Sequence, residues 1–218
     1  MTDGSRQVAR EEQRERALTA ASRLFEEQGL EGVSLRAIAS EIDLTAMALY
    51  RYFPGGKGEV VATLRGKGFE RLAWEFAGAV RGIDDPIEQF VALTVALVRF
   101  AVRGPGLYRL MFEVTQPEEH EAYLRSRRAL AWELPQRAFV EAIGSGALRG
   151  DPEVLPHLVF AAVHGVIAFE LSGQPHPNRR LSSTVAPLLE LLFRGAGGTP
   201  ATLRKLKKLA DPKLWTGS

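Results

Sequence analysis

The chain contains no cysteine among its 218 residues. Disulfides, a thiol nucleophile, iron–sulfur clusters and thiolate zinc sites are therefore excluded. Long hydrophobic runs are also missing. No stretch of about 18 apolar residues escapes a charge or a turn breaker, which argues against a membrane span. The opening run MTDGSRQVAREEQRER has no apolar segment of the kind a secretory signal needs, so a cytoplasmic location is expected. G-x-S-x-G, P-loop and H-E-x-x-H motifs are absent, so the chain is poorly equipped as an enzyme and no cofactor is expected. An excess of one charge is lacking too: 28 Lys and Arg face 26 Asp and Glu, a net of +2. As a total, that argues against a strongly basic nucleic-acid binder.

The distribution of charge qualifies the total. Residues 1–60 carry a net of −2, residues 61–193 a net of −1, and residues 194–218 a net of +5. The positive excess thus sits in the C-terminal tail, as Arg194, Arg204, Lys205, Lys207, Lys208 and Lys213.

Helical periodicity dominates, and strand-type alternation is scarce, so the chain reads as all-α. Ala17, Leu18, Ala21, Leu24 and Phe25 place a helix over Glu11–Gln28, with Gly29 ending it. Ser34 caps a short helix Leu35–Ile42, and Thr45 caps a third segment, Ala46–Phe53, stopped by Pro54-Gly55-Gly56. Longer helices are predicted over Lys57–Val80, Ile87–Val102, Pro117–Ile143 (kinked at Pro135), Glu153–Leu171 and Leu181–Phe193. An aromatic segment, Leu107–Val114, follows the Gly104-Pro105-Gly106 break. Ser172-Gly173-Gln174-Pro175-His176-Pro177 interrupts the chain before Leu181. The tail predicts one more basic helix around Leu203–Leu209, read as a solvated surface helix.

Residues 34–57 carry the functional signal. Two short amphipathic helices joined by a tight turn form the geometry that places the second helix in a DNA major groove. Ala39 is small where the helices cross, and Ile38, Ile42, Leu44 and Leu49 are spaced to make the core beneath them. Asp43 occupies the turn position that favours glycine, and tolerates a left-handed backbone better than most side chains. The expected solvent face of the second helix is Thr45, Met47, Ala48, Arg51 and Tyr52. Thr hydroxyls reach phosphates or base edges, Met47 and Ala48 suit thymine methyls, and Arg51 suits guanine or phosphate. Tyr50, Tyr52 and Lys57 suit phosphate, with Ser34 and Arg36 gripping the backbone on the other side. The same residues also fit a plain helical hairpin, with Tyr50 and Phe53 in its core.

The run RALTAASRLFEEQGLEGVSLRAIASEIDLTAMALYRYFPGGKGEVV resembles the N-terminal domain of the TetR family of bacterial transcriptional regulators. The matching positions are Ala20-Ala21, Leu24-Phe25, Gly29, Ser34, Ile38-Ala39, Leu49-Tyr50, Phe53 and Lys57. Departures are Asp43 for the usual Gly, Ala48 where Thr or Gly is frequent, Tyr52 where His is frequent, and Lys57 one residue late. The segments 105–117 and AAVHGVIAFELSG (161–173) resemble a subgroup with an alanine–aromatic–His-Gly pattern, Val163 standing for a more usual Trp. The resemblance implies a DNA-binding domain over 1–56, with Ser34, Arg36, Thr45, Ala46, Met47, Ala48, Tyr50, Arg51, Tyr52 and Lys57 toward an operator. It further implies an all-α ligand-binding and dimerisation domain over 57–198, leaving a basic tail at 199–218.

The remaining residues suggest where those activities lie. Ala161, Ala162, Gly165 and Ala168 form a small-residue stripe that lets another helix approach. With Leu188, Leu189, Leu192 and Phe193 it predicts a homodimer interface, although the same residues also fit a monomer core. A small apolar or aromatic ligand would be lined by Trp74, Phe100, Tyr108, Met111, Phe112, Trp132, His164 and Phe169, with Glu170 a second polar anchor. Aromatic residues at this spacing also serve as plain core. Glu153, His157 and His164 do not close a metal site, so no metal is expected. The expected partners are a double-stranded DNA operator, a second copy of the chain and an apolar ligand, with no membrane. The competing reading is a helical small-molecule-binding or interaction protein without DNA binding.

Overall fold

The computed structural model describes residues 3–114, 118–173 and 181–211, and among these there is no strand. The predicted start at Pro117, the end of the 105–117 segment, most of the breaker run before Leu181 and the residues after Asp211 lie outside them. The described residues form two compact units, one of residues 1–69 with 106–128 and one of residues 70–105 with 129–218.

The first unit opens with α1 (Asp3–Gly32), which starts a full two turns before the predicted Glu11. Gly29 has φ 69° and ψ −165°, so the regular helix breaks at the glycine expected to end it. Then come α2 (Leu35–Glu41) and α3 (Ala46–Tyr50), the latter three residues shorter than predicted. Residues 51–52 turn instead, and the Phe53 amide donates to the Leu49 carbonyl (2.9 Å). The first part of α4 (Gly56–Ala79), α6 (Pro105–Glu113), a 3₁₀ turn at Glu118–His120 and the start of α7 (Glu121–Gly144) complete this unit.

Its core joins Ala17, Ala21 and Leu24 of α1 to Ile38, Leu49 and Phe53, and to Val60, Val61 and Leu64 of α4. Leu49 and Phe53 are fully buried, each contributing about 2–3 kcal/mol by area removed from water. Phe53 is thus a core residue, as the hairpin reading has it, whereas Tyr50 is 51% exposed.

The second unit holds the end of α4, α5 (Pro86–Arg103), most of α7, α8 (Leu155–Leu171), α9 (Leu181–Gly195) and α10 (Pro200–Leu206) with a 3₁₀ turn Lys207–Ala210. Pro135 lies inside α7 and does not end it. Pro86 opens α5 behind the Asp85 cap, whose Oδ1 accepts from the Ile87 and Glu88 amides at 3.0 Å. Phe90, Phe139 and Phe193 meet at centroid distances of 5.0–6.1 Å and anchor α5, α7 and α9 together.

The basic tail departs from its reading as a solvated helix. Leu206 and Leu209 are buried, Thr202 Oγ1 donates to the Ala147 carbonyl (3.0 Å), Lys205 pairs with Asp85, and Lys208 pairs with Glu88 (2.8 Å). The reason is amphipathicity: the leucines recur every third residue and face inward between the charges. No single described helix is long and apolar enough to cross a membrane.

Candidate nucleic-acid interface

The turn between α2 and α3 begins at Ala39, whose carbonyl accepts from the amides of Ile42 (3.3 Å) and Leu44 (2.9 Å). Asp43 takes φ 58°, the left-handed conformation that its position in the motif requires. Ser34 Oγ accepts from the Ala37 amide and Thr45 Oγ1 from the Ala48 amide, both at 3.1 Å. Each hydroxyl therefore caps its helix by accepting, and keeps its own proton free to donate outward.

With Leu49 inward, α3 turns Thr45, Met47, Tyr50 and Arg51 to the surface, Met47 being 77% exposed. Ala46 and Ala48 are half-buried, and Arg36 on α2 is exposed. The exposed set combines a hydroxyl donor, an apolar thioether, a phenol and a guanidinium on a rigid, short helix. These groups suit phosphates, thymine methyls and guanine edges.

Three predicted contact residues are placed differently, Ala48 among them, half-buried where a solvent face was expected. Tyr52 is half-buried against the core cluster and so shares its surface with packing. Lys57 Nζ donates to the Leu30 carbonyl at 2.7 Å, closing the end of α1 onto the start of α4. One proton of that ammonium is thereby committed to the fold.

The support beneath α3 includes a residue that sequence reasoning missed. The Arg14 guanidinium donates to the Tyr52 carbonyl and to Glu59 Oε1 (3.2 Å), and lies 4.4 Å over the Phe53 ring. Arg10 donates to the Arg51 carbonyl (3.3 Å). Two arginines of α1 thus satisfy carbonyls at the C-terminal end of α3, where a helix carries partial negative charge. The available signal was Arg14 on the same face as Ala17 and Ala21, where an apolar residue would be expected.

Elsewhere in this unit, Arg65 of α4 is buried and donates to the Met111 carbonyl at 2.9 Å. Burial, then the nearby Arg128, push its pKa down. Gly68 of α4 admits the Met111 side chain, where a Cβ would stand 2.5 Å from the sulfur.

The eight predicted ligand-lining residues divide between the two units. Tyr108, Met111 and Phe112 belong to the first unit, where Tyr108 packs on Phe112 (4.7 Å) and Phe112 edges onto Phe69 (5.5 Å). Burial, then Glu113, push the Tyr108 phenol up, so it stays neutral. In the second unit, Trp132 meets His157 (4.7 Å) and Phe160 (5.3 Å), and Phe160 stacks on His164 (5.8 Å). His157 Nδ1 meets the Glu153 carbonyl at 2.7 Å. Phe100 is buried with the Arg71 guanidinium above it. Trp74 is 78% exposed beside an open cleft of about 630 Å³ bounded by Ile83, Val91, Val95 and Arg99.

The predicted interface residues divide as well. Leu189 and Phe193 are fully buried in their own unit, in keeping with the monomer-core alternative. Ala162, Gly165 and Leu188 instead border an open groove of about 740 Å³ on α8 and α9, together with Val166, Phe169 and Leu191. Ala161 is exposed, and Ala168 and Leu192 are half-buried.

Comparison with known proteins matches this architecture. Residues 17–64 match the profile of bacterial regulatory proteins of the tetR family, and residues 90–194 match a tetracyclin repressor-like C-terminal domain. The HTH-type transcriptional repressor KstR of Mycolicibacterium smegmatis is 31% identical over 47% of this chain and 50% of its own length. The chain thus spans about half the length of this curated relative, and of the KstR of Rhodococcus jostii. A structure of a protein with unknown function from Rhodococcus sp. RHA1 shares the fold at TM-score 0.73 and 24% identity, covering 84% of this chain and 94% of that one. The TetR-family transcriptional regulator PfmR from Thermus thermophilus does so at TM-score 0.64 and 21% identity, over 82% and 97%. The two profiles meet the two halves of the chain in their family order, around a turn and recognition helix built as the motif demands, and the chain belongs to the TetR family.

Proposed function

We propose that this protein is a sequence-specific DNA-binding regulator, acting as a homodimeric repressor on a pseudo-palindromic operator. The observation that carries the reading is α3: capped at Thr45, anchored by buried Leu49, and presenting Met47, Tyr50 and Arg51 to solvent. Thr45, Met47 and Arg51 reach base edges, while Arg36, Tyr50 and the Ser34 hydroxyl grip phosphates; Lys57 and Tyr52 are supporting contacts. The organisation follows the sequence: a DNA-binding domain at 1–56, a ligand and dimerisation domain at 57–198, and a basic segment at 199–218.

The second copy docks on the α8–α9 groove, where Phe169 and Leu191 are each more than half exposed. Exposed apolar side chains of this size, bordered by Gly165 and Ala162, favour helices of a partner packing closely. Two recognition helices then meet successive major grooves about 34–36 Å apart. A small apolar or aromatic ligand lowers operator affinity by population shift, favouring a placement of the recognition helices that no longer spans the grooves. The protein works in the cytoplasm and is no enzyme.

The test is selection of binding sites from genomic DNA by the purified protein. A palindromic consensus is expected, with Arg51→Ala losing about 10-fold or more in affinity for it, the cost of one base contact. No DNA retention at low salt would instead favour a helical ligand-binding protein without DNA activity.

A further inference from the structure

Two cations of the C-terminal segment are engaged within the second unit, Lys205 on Asp85 and Lys208 on Glu88. In the first unit, α1 carries Arg6, Arg10, Arg14, Arg16 and Arg23. At 100° per residue, Arg6, Arg10 and Arg14 fall within about 80° of one another, and Ala17, Ala21 and Leu24 continue the same face. The C-terminal half of that face is core; its N-terminal half, Arg6 and Arg10, is exposed. Glu12 and Glu15 fall on the opposite side of the helix.

Two bonds locate this stripe. Arg14 donates to the Tyr52 carbonyl and Arg10 to the Arg51 carbonyl, both at the C-terminal end of α3. The basic face therefore starts beside the recognition helix and runs about 12 Å along α1 to Arg6. Arg10 is held in place by its Arg51 bond through one nitrogen, leaving other N–H donors of its fork to face outward.

We propose that Arg6 and Arg10 form a second DNA-contacting element, gripping the phosphodiester backbone flanking the bases that α3 reads. This rests on the DNA-binding reading above. The chemistry is that of a phosphate clamp: guanidinium groups match phosphate oxygens bidentately, and two of them one helical turn apart grip a strand without reading its bases. The arrangement answers how a domain with a net charge of −2 over residues 1–60 holds a polyanion. Arg6, Arg10 and Arg14 share the side of α1 that leads to α3, and Glu12 and Glu15 lie across the helix from it.

The experiment measures the salt dependence of affinity for wild type, Arg6→Gln and Arg6→Gln/Arg10→Gln on the DNA that wild type selects. Each is repeated on a duplex trimmed to the base pairs under α3. The slope of log affinity against log salt falls by about 0.9 for each phosphate that a bound subunit no longer neutralises. With two subunits bound, the expected result is a decrease of about 1.8 for the single variant and about 3.6 for the double, the consensus selected by Arg6→Gln being unchanged. On the trimmed duplex the wild type drops to the level of the variants. Unaltered slopes in variants whose circular dichroism matches wild type overturn the proposal. An Arg6→Gln deficit that persists undiminished on the trimmed duplex does so too. Wild type that is retained on no DNA at low salt overturns the DNA-binding reading itself, and this inference with it.

Discussion

Asp43 holds a left-handed backbone, φ 58°, at the turn that orients the recognition helix. That conformation costs a side chain with a Cβ roughly 1–2 kcal/mol, less for Asp, nothing for Gly. Asp43→Gly is expected to raise the thermal midpoint slightly, while Asp43→Val lowers stability by about 1–2 kcal/mol, read by thermal denaturation. Arg14 is the second residue on which α3 depends, through the Tyr52 carbonyl, Glu59 and the Phe53 ring. Arg14→Leu leaves half-buried Glu59 with the Gly55 amide but without its ion-pair partner, and should cost about 1.5–3 kcal/mol in denaturant unfolding. Arg51→Ala, whose exposed side chain supports no core, should leave the thermal midpoint unchanged while DNA affinity falls.

At the scale of elements, α10 is held by apolar contact and by charge together. Leu209 is fully buried, so Leu209→Ala should destabilise the second unit by about 2–4 kcal/mol, measured by urea unfolding. Asp85 links two elements, capping α5 through its Oδ1 and pairing with Lys205 of α10. Burial raises its pKa, but the Lys205 bond and the Glu88 and Ile87 amides outweigh that, leaving it below the usual 3.8. A carboxylate with a depressed folded-state pKa contributes stability that is fully present above its unfolded value and lost as pH falls through the folded one. The α5–α10 junction should therefore hold at neutral pH and loosen only below about pH 4. Asp85→Ala should cost about 1 kcal/mol at pH 7 and show a smaller acid-induced loss than wild type, both read from thermal midpoints.

At the scale of the molecule, the exposed apolar groove on α8 and α9 is where assembly is expected. Leu191 is 69% exposed, so Leu191→Glu removes no core contact but sets a charge where a partner helix would pack. It should shift the sedimenting species from dimer to monomer at micromolar concentration, without loss of helicity, and weaken DNA binding by removing the second recognition helix. A wild-type protein that sediments as a monomer would remove the dimer from the account.

Much of this molecule is legible in its residues because its signals are local. A helix is written in a 3.6-residue period, a cap in Ser34, Thr45 and Asp85, and a turn in Asp43, each readable within a few positions. The core beneath α2 and α3, Ile38, Ile42 and Leu49, follows from the same period, and the motif at 34–57 carried the family resemblance. The roles of longer side chains are not written that way. Lys57 faces the Leu30 carbonyl, Arg14 sits under the recognition helix and Lys205 on Asp85, because bonds across 27, 38 and 120 positions depend on which helices meet. For the same reason no local signal indicates that the aromatic residues suggested as a pocket lining come from both packing units. Period and capping are properties of a segment, and they settled the helices and the turn, but not the whole face of α3, where Ala48 and Tyr52 are half-buried. Which guanidinium supports the fold and which stays exposed is a property of packing between segments, and only the tertiary structure decided it.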